Sequence, residues 1–180
     1  MVNHGLSTGM LFIVVGMLIT RGGSRLIRDY GGVHKIAPLL AGLFLLAGLS
    51  SLALPGTNSF VSEFLVLLGS FPREPVYTIL ATVGMILAAM YVLWLYQRVF
   101  HGPVRGNALI DVAGGPGTVA APEVGARKAV RDLSGREKLV LAPLLVLVVG
   151  IGFYPAPVLD VVTPTVASTL DAVGVTDGGN

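Results

Sequence analysis

Glu63 is the residue whose type and position point most directly to chemistry. The chain has ten acidic residues, and nine of them lie in loops, at the ends of apolar runs or in the C-terminal tail. Glu63 instead lies inside the apolar run Ser59 to Phe71. Carboxylates inside membrane spans are energetically costly and usually functional, and such a group can gain or lose a proton as its surroundings change. The sequence therefore predicts a proton site, against the simpler alternative of a polar pair with a neighbouring helix.

The apolar run that contains this carboxylate is predicted to be broken. Pro55 lacks a backbone N–H and Gly56 accepts almost any backbone conformation, so the region from 36 to 71 forms two half-helices broken at Pro55-Gly56. Asn58 or Ser59 is expected to cap the second half. The positive end of that helix and its unpaired N–H groups then lie near the carboxylate. Transporters use broken helices to place polar groups at mid-membrane depth.

Histidines supply the second set of candidates. His4 precedes small and hydroxylated residues, and a histidine that faces the interior of a helix bundle can relay protons. An interfacial position for His4 is an equal alternative. His34 and Lys35 are predicted to be ordinary interfacial residues, with a role in proton uptake as the alternative. The sequence has no cysteine, and its three histidines are dispersed, so it offers neither iron–sulfur ligation nor an obvious metal site.

The composition is that of a membrane protein. Hydrophobic residues make up 53% of the chain and charged residues 12%, with a mean hydropathy of +0.80. Apolar runs long enough to cross a bilayer, or nearly so, alternate with short polar segments. We therefore expect an all-α integral membrane protein with about four transmembrane helices, the second of them broken. The expected apolar regions are 4–20, 36–71, 76–97 and 139–154.

Basic residues predict the orientation in the membrane. Four lie between Arg21 and Lys35, Arg73 lies alone, seven lie between Arg98 and Lys138, and none lies in the tail. If the broken region crosses once, the loops alternate as the positive-inside rule requires, with both termini outside the cytoplasm. The predicted organisation is membrane helices in 1–97, a flexible cytoplasmic loop in 98–138, a last span in 139–157 and a periplasmic tail in 158–180.

Two local patterns support this organisation. Aromatic residues gather at the predicted cytoplasmic end of the third span, as in an interfacial belt. Ser134 and Glu137 have the spacing of a capping box that opens the last helix. The predicted belt consists of Tyr91, Trp94, Tyr96 and Phe100.

Several stretches resemble the antiporter-like membrane subunits of respiratory complex I, the NADH–quinone oxidoreductases. They are MVNHGLSTGMLFIVVGMLITR, YGGVHKIAPLL and LALPGTNSFVSEFLVLLGSF, with L-P-G-T-x-x-F-V-x-E-F around Glu63 as the specific part. GFYPAPVLD, from Gly152 to Asp160, is typical of the last span of that family. The chain is most similar to the subunit M group in its actinobacterial forms. The resemblance covers nearly the whole chain and is weakest between Gly102 and Arg131.

The resemblance implies the C-terminal part of a 14-helix fold built from two inverted repeats. It implies that Glu63 passes protons to the periplasmic side and that His4 belongs to a central hydrophilic axis. The intramembrane lysines of the family have no counterpart here, so we expect a fragment, a split protein or a truncated one. The other membrane-arm subunits and the lipid bilayer are the implied partners, with no nucleic acid. Partner subunits would handle NADH, FMN, iron–sulfur clusters and quinone, and this chain would bind no cofactor.

The expected function is proton translocation in a bacterial plasma membrane, coupled to electron transfer from NADH to quinone. The chain would be a translocase subunit without a redox centre of its own. Two alternatives stay open. One is a subunit of a multisubunit cation/proton antiporter, which genomic neighbours would distinguish. The other is a truncated membrane scaffold without transport activity.

Overall fold

The described parts of the chain fold into helices. The computed structural model describes residues 2–104 and 132–172, and all regular elements in these two ranges are helical, which confirms the all-α class. Two short 3-10 turns, Ile27–Asp29 and Val33–Lys35, lie between the first two α-helices. Most of the predicted cytoplasmic loop lies outside the described residues, so its flexibility stays a prediction. The α-helices are α1 (Val2–Gly22), α2 (Pro38–Ser50), α3 (Asn58–Ser70), α4 (Pro75–Phe100), α5 (Gly135–Phe153) and α6 (Ala156–Ala172).

Helix length separates the candidate membrane spans from the shorter elements. Within the described residues, α1 and α4 are each long and apolar enough to cross a bilayer. Helices α5 and α6 qualify only as a pair, with a bend of 72° between them. Helices α2 and α3 have 13 residues each and are therefore about 20 Å long, too short to cross alone. A single crossing by α2 and α3 together stays a prediction.

The helices expose many large apolar side chains, and a few polar side chains are buried among the apolar core residues. Phe64 and Val66 on α3 and Ile86 and Met90 on α4 are each more than half exposed. Ser7, Ser50 and Asn58, in contrast, are completely buried. Such exposure of large apolar side chains is unfavourable in water and favourable in lipid or against further apolar helices. The chain is therefore a membrane-embedded protein.

The aromatic cluster at the end of α4 divides between the surface and the core. Tyr91 and Trp94 are exposed, as an interfacial belt requires. Phe100 is fully buried, however, and its ring packs 4.7 Å from the ring of Phe44 on α2 and 4.8 Å from that of Tyr96. The four-residue spacing of Tyr96 and Phe100 places both on the helix face that meets α2. The prediction that all four aromatics form the belt was therefore wrong for Phe100.

The break between α2 and α3 is confirmed, but it begins earlier than Pro55. Helix α2 ends at Ser50, and the N–H of Leu54 donates to the carbonyl of Leu49 at 3.1 Å. Ala53 has a left-handed backbone with φ of 55°, so the end of α2 has the hydrogen bond and the conformation of a Schellman motif. Pro55 explains the early end, because a residue that precedes proline is disfavoured in helical geometry.

The predicted cap of α3 is wrong. Thr57 occupies the N-cap position and makes no side-chain capping hydrogen bond, because its hydroxyl donates to the carbonyl of Leu54 at 2.7 Å. Asn58 is the first residue of the helix, and its side chain bonds to neighbouring helices instead. Ser59 lies within the helix and bonds to the hydroxyl of Ser7. Both side chains therefore join α3 to other helices instead of closing its own first turn.

The capping box at the start of α5 is confirmed. The N–H of Ser134 donates to the carboxylate of Glu137 at 2.7 Å, and the N–H of Glu137 donates to the hydroxyl of Ser134 at 3.4 Å. The same carboxylate accepts a hydrogen bond from the guanidinium of Arg21 at 2.7 Å. This ion pair joins the last turn of α1 to the first turn of α5.

Asp132 caps α2 from a distant part of the chain. Its two carboxylate oxygens accept hydrogen bonds from the N–H groups of Leu39 at 2.9 Å and Leu40 at 3.1 Å. Ala37, at the N-cap position of α2, has no side-chain acceptor of its own. A carboxylate at a helix N-terminus is also favoured by the helix dipole. Asp132 therefore closes the start of a helix more than ninety residues before it.

The segment assigned to the tail is partly helical. Helix α6 covers 156–172, while residues 173–180 lie outside the described part. The bend before it lies at Tyr154-Pro155, where proline disfavours helical geometry for Tyr154. The N–H groups of Val158 and Leu159 then donate to the carbonyl of Pro155 and start the new helix. Proline thus ends one helix and opens the next.

Candidate functional site

Glu63 lies on α3 beside the helix break. The side chain is half-buried and lines two clefts between α3 and α4, with volumes of about 380 and 340 Å³. Ala81 and Met85 of α4 line both clefts, and the smaller one also reaches Ser51 in the break. Within residues 2–104 and 132–172, Glu63 makes no hydrogen bond or ion pair. Its carboxyl group is therefore placed against open space at the interrupted part of the helix.

His4 and Glu63 lie on helices that pack against each other. His4 lies in the first turn of α1, and α1 packs against α3, the helix that carries Glu63. The imidazole of His4 is exposed, and its ring nitrogens lie 3.4 and 3.5 Å from the hydroxyl of Thr8. The two residues that were singled out in the sequence thus lie on adjacent helices.

A buried polar network connects α1, α2 and the start of α3. The hydroxyl of Ser7 lies 2.8 Å from that of Ser50, 3.0 Å from the Oδ1 of Asn58 and 3.1 Å from the hydroxyl of Ser59. Ser50 also donates to the Oδ1 of Asn58 at 3.1 Å. Three helices therefore share one hydrogen-bonded centre. Networks of this kind fix helices relative to each other where the surroundings are apolar.

Two asparagines extend this network to the N-terminus of α1. The side-chain amide of Asn3 donates to the carbonyl of Asn58, and the amide of Asn58 donates to the carbonyl of Asn3, both at 2.9 Å. The Oδ1 of Asn3 is buried and has no hydrogen-bond partner among the described residues. The polar centre thus reaches the helix turn that carries His4. It forms a continuous polar path from the break to the first turn of α1.

A glycine on α5 permits close contact with the break. A Cβ atom added at Gly152 would lie 2.6 Å from the backbone carbonyl carbons of Gly56 and Thr57, and closer still to the carbonyl oxygen of Gly56. Gly56 itself has φ of +91°, a conformation that favours glycine. The backbone of α5 therefore lies directly against the backbone of the break. Any side chain at position 152 would displace one of the two.

His34 lies away from Glu63, near the end of α4. Its Nδ1 is 2.6 Å from the carbonyl of Phe100, and its ring centroid is 5.0 Å from that of His101. The interfacial role predicted for His34 and Lys35 stays a prediction. In the described ranges no three histidine or acidic side chains come together as a metal site would require.

The sequence did not reveal the polar network or the role of Gly152. Ser7 is one of the small and hydroxylated residues that follow His4, and its partners lie 43 to 52 positions away. The signal that was present is compositional, because Ser50, Asn58 and Ser59 are polar residues bordering apolar runs. Pairing between distant polar residues depends on how helices pack. The pattern along the chain therefore gives candidates for the network but not its connections.

A family model described as NADH:quinone oxidoreductase/Mrp antiporter, transmembrane, matches residues 1–95, more than half of the chain. This range contains α1 to α3, most of α4, and both His4 and Glu63.

Individual proteins extend the similarity over almost the whole chain. NADH-quinone oxidoreductase subunit M of Mycobacterium tuberculosis (strain H37Rv) is 45% identical over 98% of this chain. NADH-ubiquinone oxidoreductase chain 4 of Arabidopsis thaliana is 38% identical over 93% of it, and subunit M of Rhodobacter capsulatus is 36% identical over 93%. The matches cover 29%, 30% and 29% of those three proteins, so the chain spans less than a third of their length.

Proposed function

Because this chain belongs to the NADH:quinone oxidoreductase/Mrp antiporter transmembrane family, we propose that it is part of a proton-translocating membrane subunit of an NADH–quinone oxidoreductase. The observation that carries the proposal is the position of Glu63, a carboxyl group in an apolar helix beside a backbone break. The clefts that Glu63 lines between α3 and α4 give water a place next to the carboxyl group. Ionisable residues so placed in membrane helices mark ion and proton pathways.

We assign different roles in one proton-transfer step to several residues of this chain. Glu63 binds and releases the proton, and His4 on α1 exchanges it by way of water. The polar network around Asn58 holds the end of α2 and the start of α3 in fixed positions, so that the break stays open beside Glu63. Gly152 lets α5 support the break from the other side.

The partners and cofactors follow from the same proposal. Other membrane-arm subunits of the complex would surround the chain, and the large exposed apolar faces of α3 and α4 provide surface for them and for lipid. NADH, FMN, iron–sulfur clusters and quinone are assigned to partner subunits. A subunit of a cation/proton antiporter is the second candidate, because the description of the matching family includes Mrp antiporters. The relatives described above are named as NADH dehydrogenase subunits, which favours the first candidate.

The proposed location is the bacterial plasma membrane, with both termini outside the cytoplasm. The distribution of basic residues supports this orientation, because the segment between α4 and α5 carries many and the tail carries none. The C-terminal ends of α1 and α4 and the start of α5 lie on the same side of the helices. The Arg21–Glu137 pair joins α1 to α5 there, and Phe100 at the end of α4 is buried. This common end is the proposed cytoplasmic side.

Cysteine labelling tests the orientation. The natural sequence has no cysteine, so Gly115→Cys creates a single reactive thiol in the loop between α4 and α5. A membrane-impermeant maleimide is expected to label it in inside-out vesicles and not in intact spheroplasts. Ser168→Cys on the exposed α6 is the matched control, with labelling expected in spheroplasts. Labelling of residue 115 from outside would contradict the orientation.

A carbodiimide tests the state of Glu63. Hydrophobic carbodiimides partition into membranes and react with protonated carboxylic acids, so Glu63 is expected to be modified much faster than the exposed Glu74. Mass spectrometry of peptides from treated membranes measures both sites in one sample. The Glu63→Gln variant controls for reaction elsewhere in that peptide. Equal modification at the two glutamates would contradict a protonatable group in an apolar setting.

A further inference from the structure

A third cleft lies at the proposed cytoplasmic end and contains none of the residues that line the two clefts of Glu63. It has a volume of about 860 Å³ and forms between the first 3-10 turn and the last turns of α4. Neither the residues of the proposed proton step nor those of the break between α2 and α3 line this cleft. Its lining consists of Arg25, Leu26, Ile27, Arg28, Tyr30, Trp94, Leu95 and Arg98.

Three arginines give this cleft a strong positive charge. Arg25 and Arg28 come from the connection after α1, and Arg98 comes from α4. Arg28 lies 3.8 Å from Asp29, and its side chain is 82% exposed, so that pair is long and solvated. The carboxylate of Asp29 also accepts a hydrogen bond from Ser24. The cleft therefore keeps a net positive charge, and guanidinium groups suit phosphate oxygens.

The rest of the lining is apolar and exposed. Leu26 and Ile27 are 50% and 45% exposed, and Trp94 is 54% exposed. The guanidinium of Arg98 lies 4.0 Å above the ring of Trp94, which holds both groups in place. Tyr30 is buried, and its hydroxyl donates to the carbonyl of Ser24, which fixes the turn. Charged and apolar groups thus share one surface, a combination that is typical of protein surfaces beside lipid headgroups.

We propose that this cleft binds an anionic phospholipid, with the phosphodiester between Arg25, Arg28 and Arg98 and the acyl chains against Leu26, Ile27 and Trp94. Charge complementarity selects the phosphate group, and the exposed apolar residues select a ligand that carries hydrocarbon. A free phosphate ion would leave those apolar side chains uncovered. The proposal is independent of the proton step, because none of these residues lines the clefts of Glu63.

Trp94 provides a direct test, because it is the single tryptophan of the chain. The full chain in non-ionic detergent micelles is titrated with brominated phosphatidylglycerol or brominated phosphatidylcholine, and bromine quenches tryptophan fluorescence on contact. We expect stronger quenching by phosphatidylglycerol at equal mole fraction. The double variant R25Q/R28Q is expected to reduce that preference roughly fivefold for each arginine removed.

Arg73→Gln is the matched control, because Arg73 is an exposed arginine on the connection between α3 and α4. The preference for phosphatidylglycerol should survive in this variant. Equal quenching by the two lipids in the natural chain would overturn the proposal, and so would a preference that persists in R25Q/R28Q. Relief of quenching by inorganic phosphate at matched concentration would also overturn it, since the site would then bind free anions.

Discussion

Glu63→Gln in the full-length subunit is expected to bring NADH-driven proton translocation close to background while the complex still assembles. Glutamine has nearly the same shape as glutamate, so the packing between α3 and α4 should persist. It cannot exchange a proton at neutral pH. A positioned proton-transfer group contributes roughly a hundredfold or more in rate, so loss of the group should nearly close this path.

The measurement is acidification of inside-out vesicles by a fluorescent pH indicator after addition of NADH. The amount of assembled complex is measured on native gels from the same membranes. Glu74→Gln is the matched control, because Glu74 is an exposed carboxylate just before α4. Normal acidification by the Glu63 variant would refute the proton-site role. Loss of the assembled complex would instead assign Glu63 a structural role.

Gly152→Ala is expected to destabilise the protein by about 1–3 kcal/mol, the usual range for overpacking a tight contact. The added methyl group would lie 2.6 Å from backbone atoms of Gly56 and Thr57, and backbone atoms cannot move aside as a flexible side chain can. Either α5 shifts outward or the break is displaced. Displacement of the break would also move the cleft that joins Ser51 to Glu63.

Gly150→Ala is a strong control for this prediction. Gly150 lies on the same helix, and a methyl group added there meets nothing within 4 Å. Because alanine is the better helix former, Gly150→Ala should stabilise the protein by about 0.5–1 kcal/mol. The midpoint of unfolding by SDS titration in mixed micelles, followed by circular dichroism, measures both variants. Equal midpoints for the two variants would contradict the close contact between α5 and the break.

The variants at Glu63 and Gly152 distinguish an effect on proton transfer from an effect on the stability of the fold. A variant at Glu63 should change proton transfer and leave stability nearly unchanged. A variant at Gly152 should change stability first, and proton transfer only through the geometry of the break. The polar network around Asn58 belongs with Gly152, because it joins α1, α2 and α3 and contains no group that titrates near neutral pH.

The sequence was sufficient for the features that depend on neighbouring residues. Apolar runs indicated the helices, and Pro55 with Gly56 indicated the interruption. Ser134 and Glu137 formed the capping box that their spacing predicts. Glu63 was conspicuous because it is an acidic residue within an apolar run. Each of these signals acts within a few residues, where backbone geometry and side-chain propensity decide the outcome.

Only the tertiary structure decided which distant residues meet. It directed Asn58 toward Ser7 and Ser50 instead of the start of its own helix, buried Phe100, and placed Asp132 at the N-terminus of α2. Hydrogen bonds between helices depend on their separation and rotation, which no pattern along one segment contains. The break is encoded locally by proline and glycine, whereas its surroundings are fixed by helices that arrive from elsewhere in the chain.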